Sequence, residues 1–442
     1  MKIVIAGGGF AGLSAAMSLD KTLARRADVD VTLVSRENFV LFTPMLHEVA
    51  AGDLYPGDIV NPLRRLLRHV NVVETEARGI DVDARVVHCV GALARRTLDL
   101  PFDHLLLALG SETNFFDIPG VAEWAVTMKS LADAALLRNR IIALLEDATI
   151  ETDESVRRRL LTFVAAGGGF AGVETIGALN DFVREAVRHY PALNEALIRV
   201  AVVHPGPFLL PELGEELGAY AQRKLLERKV EVITGARVTG YDGSVVELSD
   251  GTVIPAETLL WTAGVRPSPV IDALPCRKAK GRLVVDQFLR VPGVPGLWAA
   301  GDSAAVPFGD TADVHPPTAQ HALREGRTAA RNIEATFLGR RLTPFRYATQ
   351  GQLATIGRHT GVAKVCGVKF SGFVAWWLWR TVYLLKLPRL TKKLRVVVSW
   401  TLDLFFGKDI EQLVTVRDVD AVTRQLERMR AREGRLTGTA AP

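Results

Sequence analysis

The chain has 442 residues, of which 48% are hydrophobic and 23% charged, with a formal net charge of +5. At about 150 residues per domain, that length suggests roughly three structural units with ample apolar material for a core. So small a charge argues against a nucleic-acid binder, which would show a concentrated basic stripe. Three cysteines, Cys89, Cys276 and Cys366, lie far apart and form no CxxC pair. No redox dithiol or metal site is therefore encoded locally, and the thiols read as isolated ones in a reducing compartment.

The N-terminus, MKIVIAGGGF, is a strand running straight into a glycine turn, without the apolar stretch of a signal peptide. Retention in the cytoplasm is the expectation. Residues 3–19, IVIAGGGFAGLSAAMSL, give a short apolar strand, Gly-x-Gly-x-x-Gly at Gly7, Gly9 and Gly12, then a helical apolar pattern. That order is the context a dinucleotide fingerprint requires. Gly7 permits the tight turn, Gly9 lets a pyrophosphate approach bare backbone, and Gly12 lets helix pack closely on strand. The helix N-terminus then offers free N–H groups to the phosphates. The next strand, VDVTLVS (29–35), ends at Ser35 where a carboxylate usually holds the ribose; Glu37 is the nearest acid. HLLLALG (104–110) is a further apolar strand ending in glycine.

Residues 163–179, FVAAGGGFAGVETIGAL, repeat the first fingerprint with Gly167, Gly169 and Gly172, at an offset of 160 residues from Gly7 to Gly167. That spacing is too long for a solenoid and right for a duplicated domain. LIRVAVVH (197–204) is the following strand and ends at His204. Residues 229–254 alternate and turn at Asp-Gly and Gly-Ser, which predicts an antiparallel meander. TLLWTAG (258–264) stands at the depth of 104–110, and GLWAAGD (296–302) is a third such strand carrying Asp302 after a glycine. The pattern predicts an α/β protein with two Rossmann-like dinucleotide-binding domains. The first, 1–125 and 285–340, is interrupted by the second, 126–284, and a C-terminal region spans 341–442.

Within that region, residues 370–406 hold four of the seven tryptophans, Trp376, Trp377, Trp379 and Trp400. Arg380, Lys386, Arg389, Lys392, Lys393 and Arg395 break its apolar stretches, so no run reaches the ~20 apolar residues needed to span a bilayer. Aromatic anchors beside basic residues suit an amphipathic segment lying on anionic lipid. The competing reading is a core-packing helix pair with a solvated basic face. The last stretch, 417–442, is expected to fray.

Taken in order, IVIAGGGFAG, VTLVSRENFVLFTPMLHEVA, FVAAGGGFAGVE, LLWTAGVRPSP, LWAAGDSA and PPTAQHALREG resemble the two-dinucleotide-binding-domain flavoproteins. Among these the chain is most similar to the type II NADH dehydrogenases (NADH:quinone oxidoreductases), over about residues 1–415. The resemblance implies that FAD binds the first fingerprint, at Gly7, Gly9, Phe10, Ala11 and Gly12, with Ser35, Arg36, Ala108 and Gly110. It implies that the nicotinamide nucleotide binds the second, at Gly167, Gly169 and Gly172, with His204, Ala263 and Gly264. Gly301 and Asp302 look like the holders of the FAD ribityl-phosphate region, and Thr43-Pro44-Met45-Leu46 like the loop under the isoalloxazine. Glu174 matches the glutamate beside the nicotinamide, and Ala319-Gln320 the pair at the flavin–quinone junction; Glu174 and Gln320 are the implied catalytic residues.

The implied partners are NADH, a membrane quinone and an anionic bilayer, at the cytoplasmic side of the cell inner membrane, with a homodimer allowed and no nucleic acid. Two departures stand out. Arg324 occupies a position that usually carries a second glutamine, and His204 replaces a usual acid. His204-Pro205-Gly206-Pro207 offers no Arg or Lys for a 2′-phosphate, which keeps NADH ahead of NADPH.

The rival readings are other flavoproteins. A disulfide reductase needs a cysteine pair soon after the first fingerprint, and residues 35–60 contain none. A sulfide:quinone reductase needs cysteines near the flavin. A redox module like the apoptosis-inducing factors would bind NADH without quinone turnover. The nine histidines are scattered and read as structural or exposed, with His47 and His321 nearest to motifs.

Overall fold

Apolar runs buried on both faces are the mark of parallel strands covered by helices, and the chain builds two such sheets. The computed structural model describes residues 1–91, 96–309, 313–403 and 405–413. In chain order the sheets and their helices are β1 (Lys2–Ala6), α1 (Phe10–Leu19), β2 (Asp30–Ser35), α2 (Leu46–Ala50), β3 (Asn71–Glu74), β4 (His104–Leu107), β5 (Val126–Thr127), α3 (Leu131–Ile150), β6 (Thr162–Ala166), α4 (Phe170–Ala186), β7 (Arg199–His204), α5 (Glu215–Glu227), β8 (Val230–Thr234), β9 (Thr258–Trp261), β10 (Leu297–Ala299) and α6 (Ala319–Phe337).

The first sheet runs β10-β4-β1-β2-β3 and the second β5-β9-β6-β7-β8. Every pairing in both is parallel. Each has its fingerprint strand at the centre, so each glycine turn emerges at the carboxyl end of the middle strand, where open α/β sheets bind ligands. β10 pairs with β4 in the first sheet only after every strand of the second has been laid down.

The region 229–254 departs from the expected single meander. Its first part, β8, pairs in parallel with β7, and only Val238–Tyr241, Val245–Leu248 and Val253–Pro255 form an antiparallel sheet. The reason is α5, which carries the chain back across the sheet and delivers β8 in the parallel sense. An alternating pattern does not distinguish a parallel edge strand from an antiparallel one.

After α6 come three antiparallel strands, β11 (Gly351–Thr355), β12 (Gly361–Val365) and β13 (Val368–Ser371), then helices α7 (Gly372–Lys386) and α8 (Leu390–Leu402). These two helices are two-faced. Ala375, Trp379, Val396 and Trp400 are buried in the core that also holds α2, α3 and α4, and Trp376 is buried beside them. Phe373, Trp377, Leu390, Leu394, Val398 and Leu402 are exposed on the other side, as are Phe405 and Phe406 just beyond.

One residue expected at the basic surface is not there. Arg380 has a side chain only 14% exposed, lies 3.8 Å from Glu48, and stacks between Trp376 (4.2 Å) and Trp400 (4.5 Å). Two indole faces and a carboxylate replace its hydration shell, which explains how a cation fits in an aromatic layer. Among the described residues no helix is long and apolar enough to cross a membrane. Residues 417–442 lie outside the described residues.

Candidate functional site

The carboxyl ends of both sheets open on one cleft of about 1650 Å³. Gly7, Gly9, Phe10 and Ala11 of the first turn line it, with Ser35, Arg36 and Glu37 after β2, Pro44, and Ala108 and Gly110 after β4. Gly301, Asp302, Ala319 and Gln320 complete that side. From the second unit, Phe170, Ala171 and Glu174 on the first turns of α4 reach the same cleft.

The glycines divide into two kinds. Gly7 has φ +112°, and a Cβ there would lie 2.1 Å from the Ala108 carbonyl oxygen. A Cβ on Gly12 would sit 1.8 Å from the Gly7 oxygen, and one on Gly172 the same distance from the Gly167 oxygen. These positions demand glycine for the fold itself. Gly9 differs: a Cβ there would meet nothing within 4 Å, so its bareness faces the open cleft. Bare backbone at a helix N-terminus, over a cavity of this size, fits the pyrophosphate of a flavin dinucleotide. Gly169 is nearly as open, with Glu212 Oε1 at 4.0 Å.

The other residues of the second fingerprint are not on this cleft. Gly167 packs on Thr262 and Ala263, Gly264 lies against the Phe116 ring, and Gly168 lies against His204. His204 Nδ1 accepts the Gly168 N–H at 3.2 Å, and burial draws its pKa down, so the neutral ring braces the turn. Ser35 occupies the equivalent place in the first copy, where its side chain would contact any Cβ on Gly8. The middle glycine of each GGG triplet was the signal for this packing, and the fingerprint pattern passes over it.

Two further groups on the cleft, Ser111 and Lys129, have no motif to announce them. Asp302 accepts from Ser111 Oγ at 2.6 Å, and Ser111 in turn accepts from Lys129 Nζ at 2.8 Å. Burial lowers the Lys129 pKa against the pull of Asp302. Lys129 is fixed because α3 starts beside it with a capping box, in which Ser130 and Asp133 each bond the other's backbone N–H. Behind Asp302, the buried Glu325 accepts the Gly301 N–H at 2.7 Å.

Glu174 sits at a node of four segments. Its Oε1 accepts from Trp379 Nε1 on α7 at 2.8 Å and from the Thr355 N–H on β11 at 3.2 Å. His47 Nδ1 on α2 lies 4.0 Å from Oε2, and the His47 ring meets Trp379 at 5.4 Å. Burial pushes the Glu174 carboxyl up to about 8, against its two donors, and holds the His47 ring down to about 4. Both are therefore neutral at pH 7. Tyr383, one turn past Trp379, also lines the cleft, so the inner face of the tryptophan-rich helix is a wall of the site. The spacing 376, 379, 383 was the available signal, one helical face of aromatic residues.

The Glu174 shift has a measurable consequence. A carboxyl whose folded pKa is raised from 4.5 to about 8 adds stability that is full below its unfolded pKa and is lost as pH rises through the folded one. The groups facing it are His47, Glu48, Thr355, Trp379 and Tyr383, none a cation. The thermal midpoint of the holoprotein is expected to fall between pH 6 and pH 9, and Glu174→Gln to flatten that fall. Parallel curves for the two proteins in scanning calorimetry would count against a buried neutral acid.

Comparison with known proteins agrees with this geometry. The pyridine nucleotide-disulphide oxidoreductase family matches residues 1–326, and the NDH2 C-terminal domain family matches residues 349–409. The type II NADH:quinone oxidoreductase Ndh of Mycobacterium tuberculosis is 34% identical, over 100% of this chain and 96% of its own. A type II NADH:quinone oxidoreductase of Staphylococcus aureus is 30% identical over 84% of this chain and 91% of its own. In fold, the chain matches NDH2 of Plasmodium falciparum in complex with NADH at a TM-score of 0.85 and 21% identity, covering 93% of this chain and 99% of that one.

Proposed function

Because the chain belongs to the type II NADH:quinone oxidoreductases within the pyridine nucleotide-disulphide oxidoreductase family, we propose that its cleft joins FAD on the first glycine turn to NADH on the second and a quinone beside Gln320. The observation that carries this reading is the convergence of Phe10, Glu174 and Gln320, from three distant helices, on one cleft wall. FAD, when bound, supplies the two-electron relay between NADH and quinone. The chain's own residues do the rest. The bare N–H groups at Gly9 and the start of α1 receive the pyrophosphate, and Asp302, steadied by Ser111 and Lys129, holds the adjoining sugar-alcohol portion.

Neutral Glu174 and neutral His47 keep net charge out of the cleft wall that would receive a nicotinamide, and Trp379 fixes the carboxyl's orientation. Gln320 is oriented at both ends, since the Tyr347 hydroxyl donates to its Oε1 at 2.8 Å and its Nε2 donates to the Gly351 carbonyl at 3.3 Å, which leaves one amide N–H for the acceptor side. None of the three cysteines lines the cleft, so the sulfide:quinone and disulfide-reductase readings have no thiol to work with.

The test is direct: the purified protein should carry one flavin per chain, whose absorbance bleaches on anaerobic addition of NADH and returns on addition of a soluble quinone. Bleaching without recovery by quinone would favour the redox-sensing module instead.

The outer face of α7 and α8 is proposed to lie on anionic lipid, with Phe373, Trp377, Leu394, Phe405 and Phe406 entering the interface. This would place the enzyme peripherally on the cytoplasmic side of the inner membrane. Of the basic residues there, Lys392 is engaged with the Gly57 carbonyl and Lys393 donates to the Leu385 carbonyl at 2.7 Å, whereas Arg395 is exposed and Arg389 half-buried. Neutralising Arg389, Lys393 and Arg395 removes about 1 kcal/mol each of attraction to anionic lipid, or roughly 100-fold in partitioning at low salt. Vesicle sedimentation reads this; equal binding by variant and wild type at low salt would reject the orientation.

A further inference from the structure

Arg324 lies one turn along α6 from Gln320, on the wall of the same cleft. Its guanidinium is 4.0 Å from the centre of the Tyr347 ring, and Nη1 donates to the Gln320 carbonyl oxygen at 2.9 Å. Tyr347 is itself held, by its hydroxyl bond to the Gln320 side chain and by the His321 ring at 4.9 Å. The guanidinium is thus fixed in place, with the other donors of its fork left over. No ion pair among the described residues includes it. Its charged or titratable neighbours are Lys386 at the rim and His321, and its field opposes protonation of both. A fixed, half-buried cation with unused donors and no carboxylate calls for an oxygen from a ligand.

We propose that Arg324 binds a carbonyl oxygen of the quinone and carries the negative charge that this oxygen gains on reduction. The inference rests on the assignment of the Gln320 end of the cleft to the quinone. NADH gives up two electrons and one proton and leaves as NAD⁺. The quinone takes up those two electrons and that proton, which leaves one ring oxygen anionic, and a proton from water then completes the quinol. Arginine keeps its proton across the accessible pH range. Arg324 therefore lets the electrons arrive before the second proton does, and Tyr347 is the positioning residue that aims it.

The experiment separates the two half-reactions of the holoenzyme by rapid mixing, first with NADH and then with a soluble benzoquinone, from neutral to alkaline pH. Arg324→Gln, Arg324→Lys and Gln320→Ala are compared with the wild type. Arg324→Gln should leave reduction by NADH unchanged and slow reoxidation by quinone about 10- to 100-fold, the loss of one charged hydrogen bond. The deficit should widen as pH rises, because the oxygen then depends on a scarcer proton, and Arg324→Lys should recover part of the rate at neutral pH. A merely structural role would slow reoxidation equally at every pH. Wild-type reoxidation by both Arg324 variants, with Gln320→Ala slow, overturns the inference and leaves the quinone assignment standing. Wild-type reoxidation by Gln320→Ala as well removes that assignment itself. If Arg324→Gln loses its flavin, Arg324→Lys alone decides: a deficit that grows with pH supports the inference and a flat one rejects it.

Discussion

Gly9→Val is expected to give a folded, colourless protein with no NADH oxidation. The side chain would project where a Cβ meets no protein atom within 4 Å, and the backbone there has an ordinary φ of −74°. Nothing in the fold resists the change. The same volume is the approach path of a pyrophosphate to the α1 N-terminus, so flavin and polypeptide compete for it. Gly169→Val makes the complementary experiment, since its Cβ is also unopposed apart from Glu212. That variant should stay yellow and lose affinity for NADH. Visible absorbance, circular dichroism and NADH titration separate the outcomes. A yellow Gly9→Val, or a Gly169→Val that loses flavin and keeps NADH, would reverse the assignment of the two turns. Gly7 and Gly12 cannot serve for this purpose, because a Cβ at either would strike backbone oxygen and unfold the unit.

Trp379→Ala should be the most destabilising single truncation in the C-terminal region. The side chain is fully buried, and removing a buried tryptophan costs about 3–5 kcal/mol. It also takes away the indole N–H on Glu174, leaving a buried acid with one donor fewer. Trp379→Phe keeps most of the volume and loses only that bond, about 1 kcal/mol. Its larger effect should be on reduction by NADH, through a carboxyl no longer oriented. Denaturant titration measures the first effect and rapid mixing with NADH the second. A Trp379→Ala protein as stable as the wild type would mean that α7 adds lipid contact only and no wall to the cleft.

Much of the architecture was legible because steric demand is written in single residues. A Cβ on Gly12 or Gly172 would lie 1.8 Å from the turn oxygen, so no other residue fits, and the motif survives in both copies. The doubling of the unit followed from that. What stayed hidden was contact between segments remote in sequence. His47, Glu174, Thr355 and Trp379 meet in space; the family resemblance pointed to Glu174, but nothing in the separate stretches joins it to the other three. The tail was read for its surface chemistry because tryptophan and lysine signal interfaces. Its inward face, with Arg380 between two indoles, depends on a partner carboxylate at Glu48 that composition does not link to it. Lys129 and Ser111 belong with these, recruited by a helix cap rather than by a motif.

The place of β10 bears on how the polypeptide is made. On a ribosome, β5 through β9 emerge in one uninterrupted stretch, so the second sheet can close while translation continues. The first sheet cannot: β4 must wait for β10 with its edge unsatisfied until the later unit has been synthesised. An unpaired apolar edge held open for that long is a template for misassociation. The nascent chain should therefore need chaperone cover chiefly over its N-terminal third, and acquire resistance to protease there last.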